Sequence, residues 1–302
     1  MVTVSGQQSK YLGIGGTVDR YLWNWQGKQY KIVYESLGQG SPVLLLPAFS
    51  TVSTRAEMRG IAQLLSSQYR VVALDWLGFG QSERPMLNYQ PALYRQLLQD
   101  FVRDIFKIPI IIIAAGHAAG YALELAKQQP AAVAKMILVA PTWRGPLRVM
   151  GLPEGVRSTV RGMVRSSIVG QALYYLNTTP SFLRLMYRRH VYVDESKLTP
   201  EFIAQKHQIT QEQGARYAPA AFVTGTIDPV DTRSEWLAYF QSLSLPILVI
   251  IAENAPPSSK AEMEAMTQLP TVREVRLRGT LGIHEEYPEA VTEAIANFLN
   301  SH

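Results

Sequence analysis

Apolar side chains fall along this chain in two rhythms. Four runs, "PVLLLPAF" (42–49), "YRVVALDW" (69–76), "PIIIIAAG" (109–116) and "AKMILVAP" (134–141), are continuous and of strand length. That is the pattern of strands covered on both faces. Between them the apolar positions recur at helical spacing and predict helices near 54–66, 90–106 and 118–128. Strand–helix alternation of this kind builds a mostly parallel, doubly wound α/β sheet. Ahead of it, 21–26 and 29–35 read as two short antiparallel strands joined at Gly27-Lys28.

After Thr142 the alternation stops. From about 144 to 235 the segments are helix-like, without a clear strand. Then "LPILVIIAEN" (245–254), a helix over 258–269, "TVREVRLRG" (271–279) and a last helix from Pro288 resume the alternation. The expected organisation is one α/β core, 1–143 with 236–302, interrupted by a helical cap over 144–235. A cap inserted there sits over the carboxyl ends of the strands, where open α/β sheets bind ligands.

Composition narrows the classes. The chain has 302 residues, 47% hydrophobic and 18% charged, which suits one large globular domain with an insertion. It has no cysteine, so disulfides and thiol chemistry are excluded, and a cytoplasmic location is expected. Residues 1–21 lack the apolar core and small-residue cleavage site of a signal peptide. No run approaches the ~20 apolar residues that span a bilayer. A net charge of +5 is a mild excess and makes no case for nucleic acid as a partner.

Three loops carry candidate chemistry. In "GHAAG" (116–120) a strand enters a helix through a tight turn. Small residues must flank the exposed side chain there, and Gly116, Ala119 and Gly120 supply that space. In hydrolases the central residue of such a turn is a nucleophile; here it is Ala118. An ordinary strand-to-helix turn, closely packed, fits the same string. In "DWLGFGQSERP" (75–85), Gly78, Gly80 and Pro85 shape a loop whose backbone amides Asp75 is placed to fix. In "RGTLGIHEEYPEAV" (278–291), His284 follows the last strand and precedes the last helix.

Taken in order, the paired N-terminal strands, "DWLGFGQSERP", "GHAAG", the helical cap and "GIHEEYPEAV" resemble an α/β-hydrolase-fold protein over nearly the whole chain. The resemblance implies that Ala118 stands at the nucleophile position and His284 at the position of the base. It places the acid in the loop "AENAPPSSK" (252–260), where Ala255 is the match and Glu253 the nearest carboxylate. More narrowly, "VAPTWRGPL", "RRHVYVDES", "YAPAAFVTGTIDPVD" and "SKAEMEAM" resemble a little-characterised cyanobacterial and chloroplast branch. That branch, the resemblance implies, tends to carry Ala in place of the nucleophilic Ser. A natural loss is thereby favoured over an engineered replacement.

Two of three triad roles are then missing. Alanine cannot attack, and losing the nucleophile removes roughly 10⁶ in turnover, although an oxyanion hole retains roughly 10³ over water. Oxyanion donors are backbone amides and survive such a loss. By resemblance they are those of Ala119 and Phe49, in a loop where the family often has His-Gly and this chain has Ala48-Phe49. Ser50, Thr51 and Ser53 add hydroxyls to the same mouth, and His117 joins them as a ligand-binding group. Non-covalent proton transfer by His284 stays open. No metal site and no cofactor are expected. The five histidines are scattered, "HEEYP" lacks a second ligand, and "LGIGGT" (12–17) reads as a flexible lead-in rather than a phosphate cradle.

The cap is rich in arginine. Arg144, Arg148, Arg157, Arg161, Arg165, Arg184, Arg188 and Arg189 lie within 144–190, with Glu154 the one acid. Arg157, Arg161 and Arg165 share a helix face, with Val156, Val160, Met163, Val164 and Ile168 between them. Either these arginines pair with acids elsewhere, or they meet an anionic membrane surface. Tyr174, Tyr175, Phe182, Leu185, Met186 and Tyr187 suit a pocket roof over an apolar ligand, and equally suit core packing. The expected function is a pseudoenzyme that binds an apolar small molecule or lipid, or runs His284-dependent non-covalent chemistry. The alternatives are an esterase- or lipase-type hydrolase inactivated at Ala118, and a protein that docks a membrane or partner through its cap, peripheral to membranes.

Overall fold

The computed structural model describes residues 13–166 and 169–301, so Ile168 lies outside the described residues. Eight strands form one sheet: β1 (Thr17–Trp25), β2 (Lys28–Leu37), β3 (Ser41–Leu46), β4 (Tyr69–Leu74), β5 (Ile110–Ala115), β6 (Val133–Val139), β7 (Ile247–Ala252) and β8 (Val272–Leu277). Their order is β1-β2-β4-β3-β5-β6-β7-β8. β1 pairs antiparallel with β2, and β2 antiparallel with β4. All the other pairings are parallel. The hairpin turn is Gln26-Gly27, one residue earlier than expected, with φ of +51° and +77°. Two left-handed residues in succession give the turn whose twist matches paired strands.

The continuous apolar runs are the central strands, and every residue of β7 is buried. β8, at the edge, alternates half-buried apolar residues with exposed Arg273, Glu274 and Arg276. Charge on an outer strand discourages pairing with another chain. The helix expected over 54–66 divides into a 3₁₀ turn, Arg55–Met58, and α1 (Arg59–Leu65). α2 (Pro91–Ile105) starts with proline in its first turn, where the missing N–H costs nothing. α3 (Ala118–Gln128) is buried from Ala118 to Ala126.

Between β6 and β7 a single helical turn, Pro146–Val149, is followed by α4 (Glu154–Arg165), α5 (Val169–Leu176), α6 (Pro180–Met186), α7 (Pro200–Thr210), α8 (Tyr217–Val223) and α9 (Arg233–Gln241). No strand occurs there among the described residues. The boundary expected at 235/236 falls inside α9, which opens with a capping box between Thr232 and Glu235 and packs Trp236 against α3. α10 (Pro257–Met266) and α11 (Pro288–Asn300) complete the core. No helix among the described residues is long and apolar enough to cross a membrane.

A buried ionic network braces the front of the sheet. Arg55 pairs through Nε with Glu35 at 2.9 Å and through Nη1 with Asp75. Asp75 accepts from the Arg55 amide at 2.7 Å and the Gln81 amide at 2.8 Å, which holds the loop after β4 in shape. Burial raises the Asp75 carboxyl above the usual carboxylate range, and the Arg55 charge opposes that rise. Glu35 also accepts from the amides of Ile14, Gly15 and Gly16. The glycine-rich lead-in is therefore fastened to the core rather than flexible, because its small residues let the backbone reach a buried carboxylate.

Candidate functional site

β5 stops at Ala115 because the next residue, Gly116, turns left-handed with φ of +50°. Its N–H donates to Val139 O at 3.0 Å, and its carbonyl accepts from the Thr142 amide at 3.1 Å. His117 is the N-cap and Ala118 the first residue of α3, with ordinary helical backbone and no exposed surface. The summit of the bend is thus Gly116, two residues before Ala118. A Cβ there would lie 3.1 Å from Ala48 Cβ and 3.8 Å from Thr142 Oγ1, facing the loop after β3. Ala114 and Ala118 are its small neighbours two residues to either side. Gly120 has a different duty. A Cβ on it would meet Pro229 at 2.3 Å, so it lets the chain leaving the cap lie against α3.

The loop after β3 is anchored by Phe49, whose ring stacks on Trp76 at 5.0 Å and meets Tyr94 edge-on at 4.9 Å. The Ala119 amide donates to Gly116 O at 3.3 Å and is already engaged. The Phe49 and His117 amides have no hydrogen-bond partner among the described residues. Ser50 Oγ accepts from the Val52 amide at 3.2 Å, and Ser53 Oγ donates to Ala48 O. Those hydroxyls shape the loop itself.

His284 lies in a single helical turn, Ile283–Glu286. Its Nε2 is 3.2 Å from Glu57 Oε1, and both side chains are almost wholly buried. Glu57 Oε1 also accepts from the Ala48 amide. His284 Nδ1 is buried without a partner. The loop after β7 is stitched to the histidine loop by Asn254 N–H to Gly279 O at 2.8 Å, and by Gly279 N–H to Asn254 Oδ1 at 3.2 Å. That loop presents buried Ala255, while Glu253 is exposed and makes no hydrogen bond to His284.

A second buried histidine–carboxylate pair joins core to cap. His117 Nε2 is 3.0 Å from Asp228 Oδ1. Asp228 also accepts from the Gly145 amide at 2.8 Å and from Arg148 Nη1 at 2.8 Å. The His117 ring lies edge-on to Phe49 and Phe222. Glu57 and Asp228 were missed from sequence. Glu57 sits in no recognisable motif, Asp228 lies in "YAPAAFVTGTIDPVD" without a role that the string itself discloses, and each meets its histidine only through the fold.

The expected roof residues divide. Tyr187 packs with Val52, Leu183, Tyr192 and Leu198 in a small second core and Tyr174 is buried, whereas Tyr175 and Met186 are exposed. Two of the surface clefts border α7. One, of about 550 Å³, is lined by Pro180, Arg184, Ile203 and His207 among others. The other, of about 430 Å³, lies beside Arg20, Gln81, Arg84 and Glu212. Neither is lined by Gly116, His117, Ala118 or His284. Among the described residues no three His, Asp or Glu side chains gather as a metal site would need. What the bend offers chemically is two unengaged amides and a buried imidazole–carboxylate pair.

The family described as "Alpha/beta hydrolase family" matches residues 43–294. A Synechocystis sp. protein named as a candidate non-heme chloroperoxidase is 25% identical over 224 residues, covering 72% of this chain and 75% of that protein. An uncharacterised Mycobacterium bovis protein is 32% identical over 115 residues, which is 37% of this chain and 32% of that one. The crystal structure of a bromoperoxidase from Bacillus anthracis superposes with a TM-score of 0.71 at 15% identity, covering 93% of this chain and all of that one. A thermophilic esterase from Thermogutta terrifontis gives 0.70 at 22% identity, over 95% and 99% of the two chains. Those two likenesses speak for the fold. With the family match spanning most of its length and the strand order of its sheet, the chain belongs to the alpha/beta hydrolase family.

Proposed function

We propose that this chain is a member of its family that forms no acyl-enzyme. It binds a mainly apolar small molecule beside His284, and proton transfer by the His284–Glu57 pair is the chemistry left to it. One observation carries this reading. The left-handed residue of the bend is Gly116 and the following helix begins with Ala118, so neither position offers an oxygen or sulfur nucleophile. The orphaned Nδ1 of His284 beside an acid loop that presents Ala255 supports it, since an orienting carboxylate is the second element of the triad. The buried aromatic groups around His117, namely Phe49 and Phe222, favour an apolar ligand. The Synechocystis relative supports a cyanobacterial affinity. A hydrolase using Glu253 as acid is less well supported, because that carboxylate faces solvent.

The test is an intact-mass measurement after incubation with a fluorophosphonate, together with p-nitrophenyl ester turnover by the wild type and His284→Ala. The expected result is no adduct and equal, background rates. Thermal shift against apolar ketones and fatty acids should then show stabilisation of the wild type that His284→Phe lacks. A stoichiometric adduct with His284-dependent turnover overturns the proposal.

A further inference from the structure

Amphipathic helices normally turn their apolar stripe inward. α4 does the reverse. None of its residues is buried, and Val156 and Met163, seven residues apart on one face, are each 47% exposed. Two of its arginines point into the cap. Arg157 Nη1 donates to Thr224 O at 2.9 Å and Arg161 Nη1 to Thr226 Oγ1 at 2.6 Å. Both also pair with Glu154. The arginine face that the sequence offers as a docking surface is therefore consumed internally, and the apolar face is left outside. α5 joins α4 closely, because a Cβ on Gly170 would lie 2.1 Å from Val164 O. It adds exposed Val169, Tyr175 and Leu176, and the turn before α4 adds Met150, 70% exposed.

We infer that α4 and α5 form an insertion face for a lipid bilayer containing anionic lipid. Apolar side chains at this exposure enter the acyl boundary, and tyrosine suits the headgroup level. Charge selects the lipid. Over 144–193 Glu154 is the one acidic residue, and it is neutralised by two arginines, while Arg165 closes α4 without an ion-pair partner among the described residues. A surface of apolar side chains beside the unpaired Arg165, with its one acid already engaged by two arginines, matches an anionic bilayer better than a protein partner, which would need its own complementary acids. This inference stands apart from the chemistry of the bend.

The absence of cysteine gives a direct readout. Met163→Cys, and Ile108→Cys at the amino end of β5, also exposed, as control, each take one environment-sensitive fluorophore. Vesicles of phosphatidylcholine, with and without about 30% phosphatidylglycerol, are then added. The label at 163 should shift to the blue with anionic vesicles only, while the label at 108 stays unchanged. Cosedimentation with the anionic vesicles should fall about tenfold in Val156→Ser/Met163→Ser/Leu176→Ser. All three side chains are exposed, so this variant should melt as the wild type does. Absence of a shift at 163, equal shifts at both sites, or equal binding to neutral vesicles overturns the inference. So does a concentration-dependent dimer in light scattering that the triple variant abolishes, which would assign the face to a second copy.

Discussion

Glu57 gives one carboxylate oxygen to two buried donors, the Ala48 amide and His284 Nε2. Glu57→Ala leaves both unpartnered, and is expected to cost about 2–4 kcal/mol in urea unfolding. Glu57→Gln keeps an oxygen for the amide and should recover part of that loss. Arg55 carries a pH signature. With Arg55→Met the burial of Asp75 is opposed by the Gln81 amide but no longer by a charge. A carboxyl raised above its unfolded value adds stability below the ordinary carboxylate range, and that stability is lost as pH rises through the raised value. The variant should therefore be destabilised more at pH 7 than at pH 5, read as the gap in urea midpoint from the wild type. The bend supplies a discriminating pair. Gly116→Ser/Ala255→Asp should gain His284-dependent esterase turnover, whereas Ala118→Ser/Ala255→Asp stays at background, because only residue 116 occupies the left-handed summit. Serine at that φ costs about 1–3 kcal/mol, so the first variant should also melt lower. His284 was readable from its place after the last strand. Glu57 was not, since the pairing of a 3₁₀ turn with a loop far along the chain leaves no local pattern.

At the scale of elements, periodicity was informative and register was not. The string "AAGHAAG" admits two frames, small residues around Ala118 or small residues around Gly116. Motif spacing favours the first, whereas β5 ends at Ala115 and the backbone turns left-handed at Gly116, which favours the second. Continuous runs such as 110–115 and 247–252 were legible to within a residue or two, since burial on both faces leaves no room for polar side chains. The helix over 54–66 was legible only as a whole. Its first turn tightens to 3₁₀ where Arg55 must reach Glu35 and Asp75. Gly120 tests how closely α3 meets the chain leaving the cap. Gly120→Ala drives a methyl into Pro229 and is expected to cost about 1–3 kcal/mol in thermal or urea unfolding. Ala119→Gly, as a helix-propensity control, should cost about 1 kcal/mol.

At the scale of the molecule, the cap joins the core through a shared apolar cluster that includes Ala218, Ala221, Ile227 and Val230, and through a few buried polar contacts. Asp228 binds His117 at the bend, the Gly145 amide at the start of the cap and Arg148 in its first turn. Three partners from both sides of the insertion meet on one carboxylate, so its removal unpairs the junction without opening the sheet. The arginine-rich composition hinted at a surface, yet Arg148, Arg157 and Arg161 serve internal joints, because a guanidinium reaches several acceptors from one position. If the cap is a unit that moves to admit a ligand, Asp228→Ala should raise amide hydrogen exchange across 144–231 by roughly tenfold or more while β3, β5, β6 and β7 keep their protection. Exchange rising equally in the strands would mean that Asp228 braces the whole fold, and that ligand entry cannot proceed by opening this joint.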